Sequence, residues 1–424
     1  MAKPGLAPRR AAVALMDAVT VEGRLMSEAL PGGVQALDPA DRARAQRLAT
    51  GALRWLDRSD RLLGPYLKRR PDPTAHNALR LAVFEMFVEQ AAPHGVVDAA
   101  VSLMRARPET ERQAGLVNAV LRNVLRAGHE AWEKLPPPRL PKWLRKPLVA
   151  DYGKDVVAAI EAAHAAGAPL DLTPKDGDAP ALAARLGGEA LPSGSVRLVT
   201  AGQVSALPGF ESGDWWVQDA AAAVPVRVLD PQPGERVLDM CAAPGGKTLQ
   251  IAAAGAEVTA LDISETRMKR VEENLTRCGL AARPVVADAL EWEAGAPFDA
   301  VLLDAPCTAT GTIRRHPDLP YAKDASDFPT LFELQAHMID RALSLVKPGG
   351  RVVFCTCSLL VDEGEEQVRD ALERHPGLTV DRAALERSGI DPAWIGAEGL
   401  RLRPDFWSDR GGMDGFFVTA LTRP

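Results

Sequence analysis

Cysteine is scarce in this sequence of 424 residues, which holds five, an odd number without metal-site spacing. Scattered thiols in a long chain argue against a disulfide-stapled secreted scaffold and are typical of a reducing compartment. No apolar run approaches the ~20 residues of a bilayer-spanning helix. The N-terminus also lacks the apolar core of a signal peptide. We therefore expect a cytoplasmic protein with free thiols, no membrane partner and no bound metal.

Two nucleotide-binding patterns are absent, although one stretch mimics them. Residues 235–248 read ERVLDMCAAPGGKT, but a phosphate-binding P-loop requires a glycine where this chain has Cys241. The glycines also do not fit the dinucleotide fingerprint. What remains is a strand ending at Asp239, a glycine turn, a helix, and a second strand ending at Asp262. An acidic residue there is placed to accept ribose hydroxyls. The pattern suits S-adenosylmethionine, which brings adenosine without phosphate.

Length and charge indicate several domains with different partners. A chain of this length exceeds one ordinary core, so we expect two or three domains. Residues 1–150 hold 24 Lys and Arg against 15 Asp and Glu, whereas the remainder holds 26 against 41. A basic first block favours a polyanionic partner, although solvated arginine-rich helix faces would explain it equally well.

The first 135 residues carry apolar side chains at three- and four-residue spacing, which predicts a helical bundle. The predicted helices there span 10–30, 39–63, 74–91 and 96–127. Residues 134–147, KLPPPRLPKWLRKP, predict a proline-rich connector rather than a helix. A helix over 154–166 and short strands near 170 and 196 follow.

From residue 235 onward strands and helices alternate, which predicts a parallel sheet covered by helices on both faces. The predicted strands are 235–240, 257–262, 283–288, 298–304, 350–357, about 378–382 and 416–421. The predicted helices are 246–254, 264–278, 330–346 and 362–375.

Three motifs in a fixed order carry a specific resemblance. They are DMCAAPGGKT (239–248), LLDAPCTATGTIRRHPD (302–318) and FCTCS (354–358). Together they resemble the NOL/NOP/Sun family of RNA 5-methylcytosine methyltransferases, and among these the bacterial members that act on 16S rRNA. The similarity covers essentially the whole chain, since the helical N-terminus resembles the RNA-binding protein NusB.

The resemblance implies a multidomain fold. An all-α NusB-like bundle over 1–135 would bind RNA. A basic linker and a small α/β subdomain over 136–215 would follow. A Rossmann-like class I methyltransferase domain, with a mostly parallel seven-stranded sheet, would occupy 216–424.

The implied reaction transfers a methyl group from S-adenosylmethionine to C5 of a cytosine in 16S rRNA. In this family a thiolate adds to C6, C5 takes the methyl group, and a base removes the C5 proton before the thiol leaves. Cys307 lies just past the carboxyl end of one predicted strand and Cys357 at the carboxyl end of the next, so their positions at the ligand-binding edge do not distinguish them. The resemblance assigns the nucleophile to Cys357 and product release to Cys307. Cys355 is expected to be packing.

The resemblance also implies the remaining site residues. Asp304 would contact the target cytosine, although it could be a simple strand cap. Lys247 would hold Asp304 or the cofactor carboxylate, and Asp288 the adenine amine, although a solvated lysine and a loop acid are the plainer readings. The implied cofactor contacts are Cys241, Ala242, Ala243, Pro244, Gly245, Gly246, Lys247, Asp262, Asp288 and Asp304.

Arg314, Arg315 and His316 follow the Pro-Cys motif and are candidates for RNA phosphate contacts. They could instead pair with acids of the same domain. The target cytosine would have to be single-stranded or flipped out. We expect a monomer that acts on ribosomal RNA.

Other readings remain open at this stage. The substrate could be 23S rRNA or tRNA, or the chain could be a DNA cytosine methyltransferase that uses the Pro-Cys thiol. A non-catalytic RNA-binding scaffold is a further alternative. A metal site at Cys355-Thr356-Cys357 is disfavoured, because no neighbouring cysteine or histidine completes a ligand set.

Overall fold

The computed structural model describes residues 5–199 and 202–424. It divides into two compact units. One is Met1–Ala166 together with Ile313–Ala325, and the other is Gly167–Thr312 together with Ser326–Pro424. The division first changes unit after Ala166, whereas the first predicted domain boundary is at 135, and the predicted domain bounds stay predictions. The predicted catalytic domain over 216–424 is also interrupted by a segment that belongs to the helical unit.

Helices α1–α10 and α15 belong to the first unit, and the remaining helices to the second. The bounds in chain order are α1 Leu6–Thr20, α2 Met26–Val34, α3 Pro39–Arg54, α4 Leu56–Leu63, α5 Pro73–Phe87, α6 Pro93–Arg105, α7 Pro108–Glu111, α8 Ala114–Glu133, α9 Lys142–Tyr152, α10 Lys154–Ala166, α11 Ala179–Leu186, α12 Ala220–Leu229, α13 Gly246–Ala253, α14 Glu265–Cys278, α15 Leu319–Ala322, α16 Phe328–Leu345, α17 Glu365–Arg374 and α18 Arg382–Leu385.

All strands lie in the second unit. Their bounds are β1 Leu170–Pro174, β2 Glu189–Ala190, β3 Val196–Leu198, β4 Trp215–Val217, β5 Arg236–Met240, β6 Glu257–Asp262, β7 Arg283–Val286, β8 Phe298–Asp304, β9 Val346–Thr356, β10 Thr379–Val380, β11 Leu400–Leu402 and β12 Phe416–Thr422.

Two helices of the helical unit, α3 and α5, begin within one residue of the predicted start. Asp38 caps α3 by accepting from the backbone of Asp41 at 2.9 Å, and proline occupies the first helical position. Asp72 caps α5 in the same way. The predicted helices over 10–30 and 96–127 each prove to be interrupted, the first near Gly23, which has a φ of 69°. Within the described ranges, no helix has the length and apolar character to cross a bilayer.

The predicted connector over 134–147 is wrong in its second half, where α9 begins at Lys142 and runs through Pro147. Leu144 and Leu148 lie one turn apart on this helix and are fully buried. Burial of two leucines is worth roughly 3–6 kcal/mol, which outweighs the single backbone bond that a proline removes.

The segment Ile313–Ala325 belongs to the helical unit because its own groups complete that unit's core. Tyr321 and Ala322 pack against the buried helical cluster. Asp318 accepts from the backbone N–H of Met26 at 2.9 Å, and the indole of Trp143 donates to the carbonyl of Pro320 at 3.1 Å.

The second unit contains two sheets. The smaller one is antiparallel in the order β2-β3-β1-β4. The larger one has the order β10-β12-β9-β8-β5-β6-β7, with β11 added to β12. Strands β7, β6, β5, β8 and β9 are parallel neighbours, and β12 runs antiparallel to β9. The mostly parallel sheet is confirmed, with β11 as a strand that the sequence did not predict.

A glycine in the helical unit offers a test of its packing. A side-chain methyl group at Gly51 of α3 would overlap the ring of Phe84, which lies on α5. Overpacking of this kind costs about 1–3 kcal/mol. We therefore expect Gly51→Ala to lower the melting temperature. Gly115→Ala on α8 is the matched control, since its new methyl group meets no atom within 4 Å. Equal melting temperatures for the two variants would contradict this packing.

Candidate active site

The loop between β5 and α13 is shaped by one glycine. Gly245 has a φ of 105°, and its position lies against α14, where an added Cβ would meet the Cα of Val271 at 3.3 Å. Its backbone N–H donates to the carbonyl of Ala242 at 2.8 Å. Helix α13 begins at the next residue, so its N-terminus, with unpaired N–H groups, stands at the carboxyl end of β5.

Asp262 ends β6 and ties this loop to the next one. One carboxylate oxygen accepts from the backbone N–H of Ala243 at 3.1 Å, and the other from that of Ser264 at 2.9 Å. The side chain is buried, whereas Ile263 beside it is 68% exposed. Ala287 donates its N–H to the carbonyl of Asp262, which brings the exposed Asp288 to the same edge.

Lys247 and Asp304 form an ion pair across the carboxyl ends of β5 and β8. The Lys247 Nζ lies 2.7 Å from the Asp304 Oδ2 and 5.3 Å from the centre of the Phe416 ring. Burial by itself would lower the pKa of Lys247, but the charge of Asp304 outweighs it and holds that pKa above its ordinary value. The ammonium group therefore keeps its proton next to Asp304.

Asp239 lies beneath this pair and is fully buried. The hydroxyl of Thr248 donates to its Oδ2 at 2.5 Å, whereas its Oδ1 has no hydrogen-bond partner. Burial raises the pKa of Asp239 to about 7, despite the opposing hydrogen bond from Thr248 and the charge of Lys247. A buried acceptor without a partner is uncommon and indicates a bound group or water.

The two candidate thiols meet at the same edge of the sheet. The sulfur atoms of Cys307 and Cys357 are 3.5 Å apart, and both residues are partly exposed. The hydrogen bond to Cys357, and then burial, raise the pKa of Cys307. A thiol that keeps its proton is a donor, so Cys307 can donate to the sulfur of Cys357.

The other two cysteines near the edge are held as thiols. Cys355 is fully buried, and its Sγ lies 3.4 Å from the Oδ1 of Asp304. Burial, followed by the charge of Asp304, raises the pKa of Cys355, and burial also raises that of Cys241. Among the described residues, no group of three or more His, Cys, Asp or Glu side chains is arranged to hold a metal ion.

The structure thus brings Lys247, Asp304, Cys307 and Cys357 together, with Asp262 and Asp288 along the same edge. The arginine segment lies in the helical unit instead. Arg314 is fully buried, which does not fit the predicted contact of this side chain with RNA phosphates. Its backbone carbonyl accepts from Arg54 at 2.8 Å. Arg315 and His316 are exposed, and their contact with RNA stays a prediction.

Several residues at the site were missed from the sequence. Glu363 lies at the start of the predicted helix over 362–375, yet it is fully buried behind the two thiols. Phe416 was assigned only to a strand. Neither a glutamate at a predicted helix start nor a phenylalanine in a predicted strand indicates, from the sequence alone, that it lies at the site. The sequence did carry a signal for Asp239, which ends an apolar run, and four of the five residues of β5 are buried.

The chain is similar to known families over both of its units. The family described as 16S rRNA methyltransferase RsmB/F matches residues 226–422, and the NusB family matches residues 6–126. A Vibrio cholerae protein named ribosomal RNA small subunit methyltransferase B is 35% identical over 442 residues, covering 98% of this chain and 97% of its own. Its Pseudomonas putida namesake is 34% identical over 440 residues, covering 98% of both.

The chain belongs to the ribosomal RNA small subunit methyltransferase B family. The family's ribosomal RNA methyltransferase character and its NusB-like front end confirm the resemblance drawn from the motifs. A crystal structure titled as a methyltransferase homolog protein from Pyrococcus horikoshii aligns with a TM-score of 0.57 at 25% identity, covering 72% of this chain and 98% of that one. Another solved chain, 24% identical, shares the fold over 99% of both chains with a TM-score of 0.71.

The raised pKa of Asp239 predicts a pH-dependent stability. Between its ordinary value of 3.8 and about 7, the folded protein holds a proton that the unfolded chain releases. The stability from this group is therefore present below about pH 4 and is lost as the pH rises through about 7. Asp239→Asn cannot ionise. We expect its free energy of unfolding, relative to the unsubstituted protein, to rise between about pH 5 and about pH 8.

Chemical denaturation without cofactor at the two pH values measures this difference. Asp370→Asn is the control, because Asp370 is an exposed carboxylate on α17. A difference that stays constant with pH for Asp239→Asn would show that this carboxyl group titrates normally.

Proposed function

We propose that this protein transfers a methyl group from S-adenosylmethionine to C5 of a cytosine in 16S rRNA, through a covalent bond between Cys357 and C6. The observation that carries the proposal is the pair of thiols 3.5 Å apart beside the Lys247–Asp304 ion pair. One nucleophilic thiol suffices to form an adduct. A second thiol in contact with the first suits a reaction that must also break this adduct.

Cys357 is the nucleophile in this proposal. Its thiolate adds to C6, and the electron pair of the C5–C6 double bond moves into the ring so that C5 becomes nucleophilic. S-adenosylmethionine, when bound, would supply the electrophilic methyl group to C5 and would leave as S-adenosylhomocysteine. A base then takes the C5 proton, the double bond re-forms, and the sulfur of Cys357 leaves C6. Covalent catalysis of this kind divides one difficult step into easier ones.

Cys307 assists the last of these steps. Its thiol keeps its proton because the hydrogen bond to Cys357 and burial raise its pKa. It can therefore donate to the sulfur of Cys357 as negative charge returns to that atom. We assign release of the methylated base to Cys307 because its sulfur is in contact with that of Cys357.

Asp304 and Lys247 would orient the base. The Oδ2 of Asp304 is engaged by Lys247, and its Oδ1 is 3.4 Å from the Cys355 thiol, which is a weak donor. The Oδ1 therefore retains capacity to accept from the exocyclic amine of cytosine. Asp304 is partly exposed at the edge, as a base-contacting carboxylate has to be.

The loop around Gly245 fits S-adenosylmethionine on several grounds. Asp262 has two carboxylate oxygens that each accept one backbone N–H, which leaves lone pairs for ribose hydroxyls. Ile263 and Val286 expose 68% and 48% of their surface next to this carboxylate, which suits an adenine face. The orphan Oδ1 of Asp239 and the N-terminus of α13 offer an acceptor and donors for an amino acid moiety.

The choice of 16S rRNA rests on the relatives. They are named as small subunit methyltransferases and align over nearly the whole chain, including the NusB-like unit. The excess of basic residues within 1–150 supports docking of a polyanion by that unit. The match of residues 6–126 to the NusB family also supports action on RNA rather than DNA.

The direct test supplies the purified protein with labelled S-adenosylmethionine and protein-free 16S rRNA, 23S rRNA, tRNA or duplex DNA. The modified base is then mapped. We expect label on one cytosine of 16S rRNA as 5-methylcytosine. Label at a ribose, on another nucleic acid, or nowhere would refute the assignment.

Substitution of each cysteine distinguishes the roles of the two thiols. Cys357→Ala should be inactive and should form no covalent complex with RNA, because no bond to C6 can form. Cys307→Ala should form the adduct but resolve it poorly, so that protein–RNA conjugate accumulates. Denaturing gels with labelled RNA measure both outcomes.

Cys278→Ala is the matched control for these variants. Cys278 is a buried thiol on α14 that lies in an apolar cluster and belongs to no part of the site. It should lose some packing energy but keep full turnover. Conjugate in the Cys357 variant and none in the Cys307 variant would exchange the two roles.

The role of Asp262 is tested by measuring the affinity of the protein for S-adenosylmethionine. Asp262→Ala removes the acceptor for the ribose and the anchor of Ala243, so S-adenosylmethionine should bind more weakly by about 1–3 kcal/mol. Isothermal calorimetry gives the dissociation constant, with Asp370→Ala as a surface control. An unchanged constant would remove Asp262 from the cofactor site.

A further inference from the structure

Glu363 is a fully buried carboxylate directly behind the two thiols, and the reaction described above does not use it. It follows β9 by seven residues and precedes α17. Burying a carboxylate is costly unless donors surround it. Three donors meet the two oxygens of Glu363 at 2.5–2.9 Å. The positions of these donors in the chain indicate the role of Glu363.

Two of the three donors belong to the residue that follows Cys307. The backbone N–H of Thr308 donates to the Oε1 of Glu363 at 2.9 Å, and the Thr308 hydroxyl donates to the Oε2 at 2.5 Å. The third donor is the amide of Gln335, at 2.9 Å from the Oε1. That same amide donates to the carbonyl of Pro306 at 2.9 Å. The residues on both sides of Cys307 are therefore bound to Glu363, one directly and one through Gln335.

Glu363 also holds the residue that precedes Cys357. Its backbone carbonyl accepts from the hydroxyl of Thr356 at 2.8 Å. On the other side of Cys357, the Ser358 hydroxyl lies 3.2 Å from that of Thr308. The backbone N–H of Gly311 donates to the carbonyl of Cys357 itself at 2.9 Å. Both thiol-bearing segments are thus bound to one another through groups that Glu363 organises.

We propose that Glu363 is a positioning residue that holds the Cys307 and Cys357 segments at the separation their sulfur atoms require. The assignment rests on the proposed function for the chemistry of the two thiols. Glu363 touches neither sulfur, and it acts through Thr308, Gln335 and Thr356. Effective catalysis needs reacting groups held close to the productive geometry, and supporting hydrogen bonds provide this.

The charge of Glu363 adds a second effect. The pKa of Cys307 is raised first by the hydrogen bond to Cys357 and by burial, and further by the charges of Cys357 and Glu363. Removing the negative charge of Glu363 should therefore increase the thiolate fraction of Cys307. A residue with only a packing role would not change it.

The test uses Glu363→Gln, which keeps the shape of the side chain and an oxygen for the Thr308 N–H, and Glu363→Ala, which keeps neither. In the full-length protein without RNA, alkylation of each thiol by iodoacetamide is followed by mass spectrometry as a function of pH. We expect the alkylation midpoint of Cys307 to move to lower pH in Glu363→Gln. At a pH below that midpoint, a shift of one pKa unit corresponds to about tenfold faster alkylation.

The same variants are assayed for methylation of 16S rRNA under single-turnover conditions. We expect a rate reduced on the order of tenfold in Glu363→Gln and further in Glu363→Ala, as loss of orientation would give. The KM for RNA and the dissociation constant of S-adenosylmethionine should not change. Glu366→Gln is the control, because Glu366 is a carboxylate of α17 whose side chain is 47% exposed.

The outcomes separate the two proposals. If both Glu363 variants lower only the melting temperature, with alkylation and turnover like the unsubstituted protein, Glu363 is structural and the inference is overturned. If no protein methylates RNA, the proposed function fails, and the alkylation profile still decides the role of Glu363. If Glu363→Ala does not fold, the Glu363→Gln profile alone carries the decision.

Discussion

The parallel register of β8 and β9 is the constraint on which the rest of the site depends. It sets Asp304 opposite Cys355 and Leu303 opposite Phe354, and the N–H of Ala305 donates to the carbonyl of Cys355 at 3.0 Å just past the last pair. Both strands therefore end at one edge, and the loops that carry Cys307 and Cys357 leave from neighbouring points. A slip of one residue would turn Asp304 to the other face of the sheet. The thiol pair and the Lys247 ion pair would then be lost together.

Four acidic groups lie around this edge, three of them buried and Asp304 partly exposed, and each is stabilised differently. Asp304 is paired with a lysine, Asp262 accepts two backbone donors, and Glu363 accepts three donors. Asp239 receives only one, and its pKa rises accordingly. Hydrogen-bonded carboxylates of this kind are stable where they stand and costly to disturb. They make a rigid frame for the thiols, which are the groups that have to react.

One short segment of the chain passes from the second unit into the helical unit and back. The segment Ile313–Ala325 leaves the catalytic unit just after the Pro-Cys motif and returns to it thirteen residues later. Within the helical unit it contributes Tyr321 to the core and Asp318 to the start of α2. One continuous stretch of chain thus serves both the thiol loop and the NusB-like unit. Of its basic residues, Arg315 is exposed and Arg314 is buried, which a sequence of two adjacent arginines does not distinguish.

The sequence by itself determined the family, the helical first part, the parallel sheet and the edge at which Asp239, Asp262, Asp304, Cys307 and Cys357 lie. These follow from local patterns: alternation of strands and helices, a glycine turn, and motifs whose order is part of the signal. Only the tertiary structure decided the helix at Lys142–Tyr152, the added strand Leu400–Leu402, the burial of Arg314 and the burial of Glu363. The physical reason is common to these four. Each depends on partners outside its own segment of the chain, and packing or pairing with them outweighs local preference, such as that of a proline or of a charged side chain.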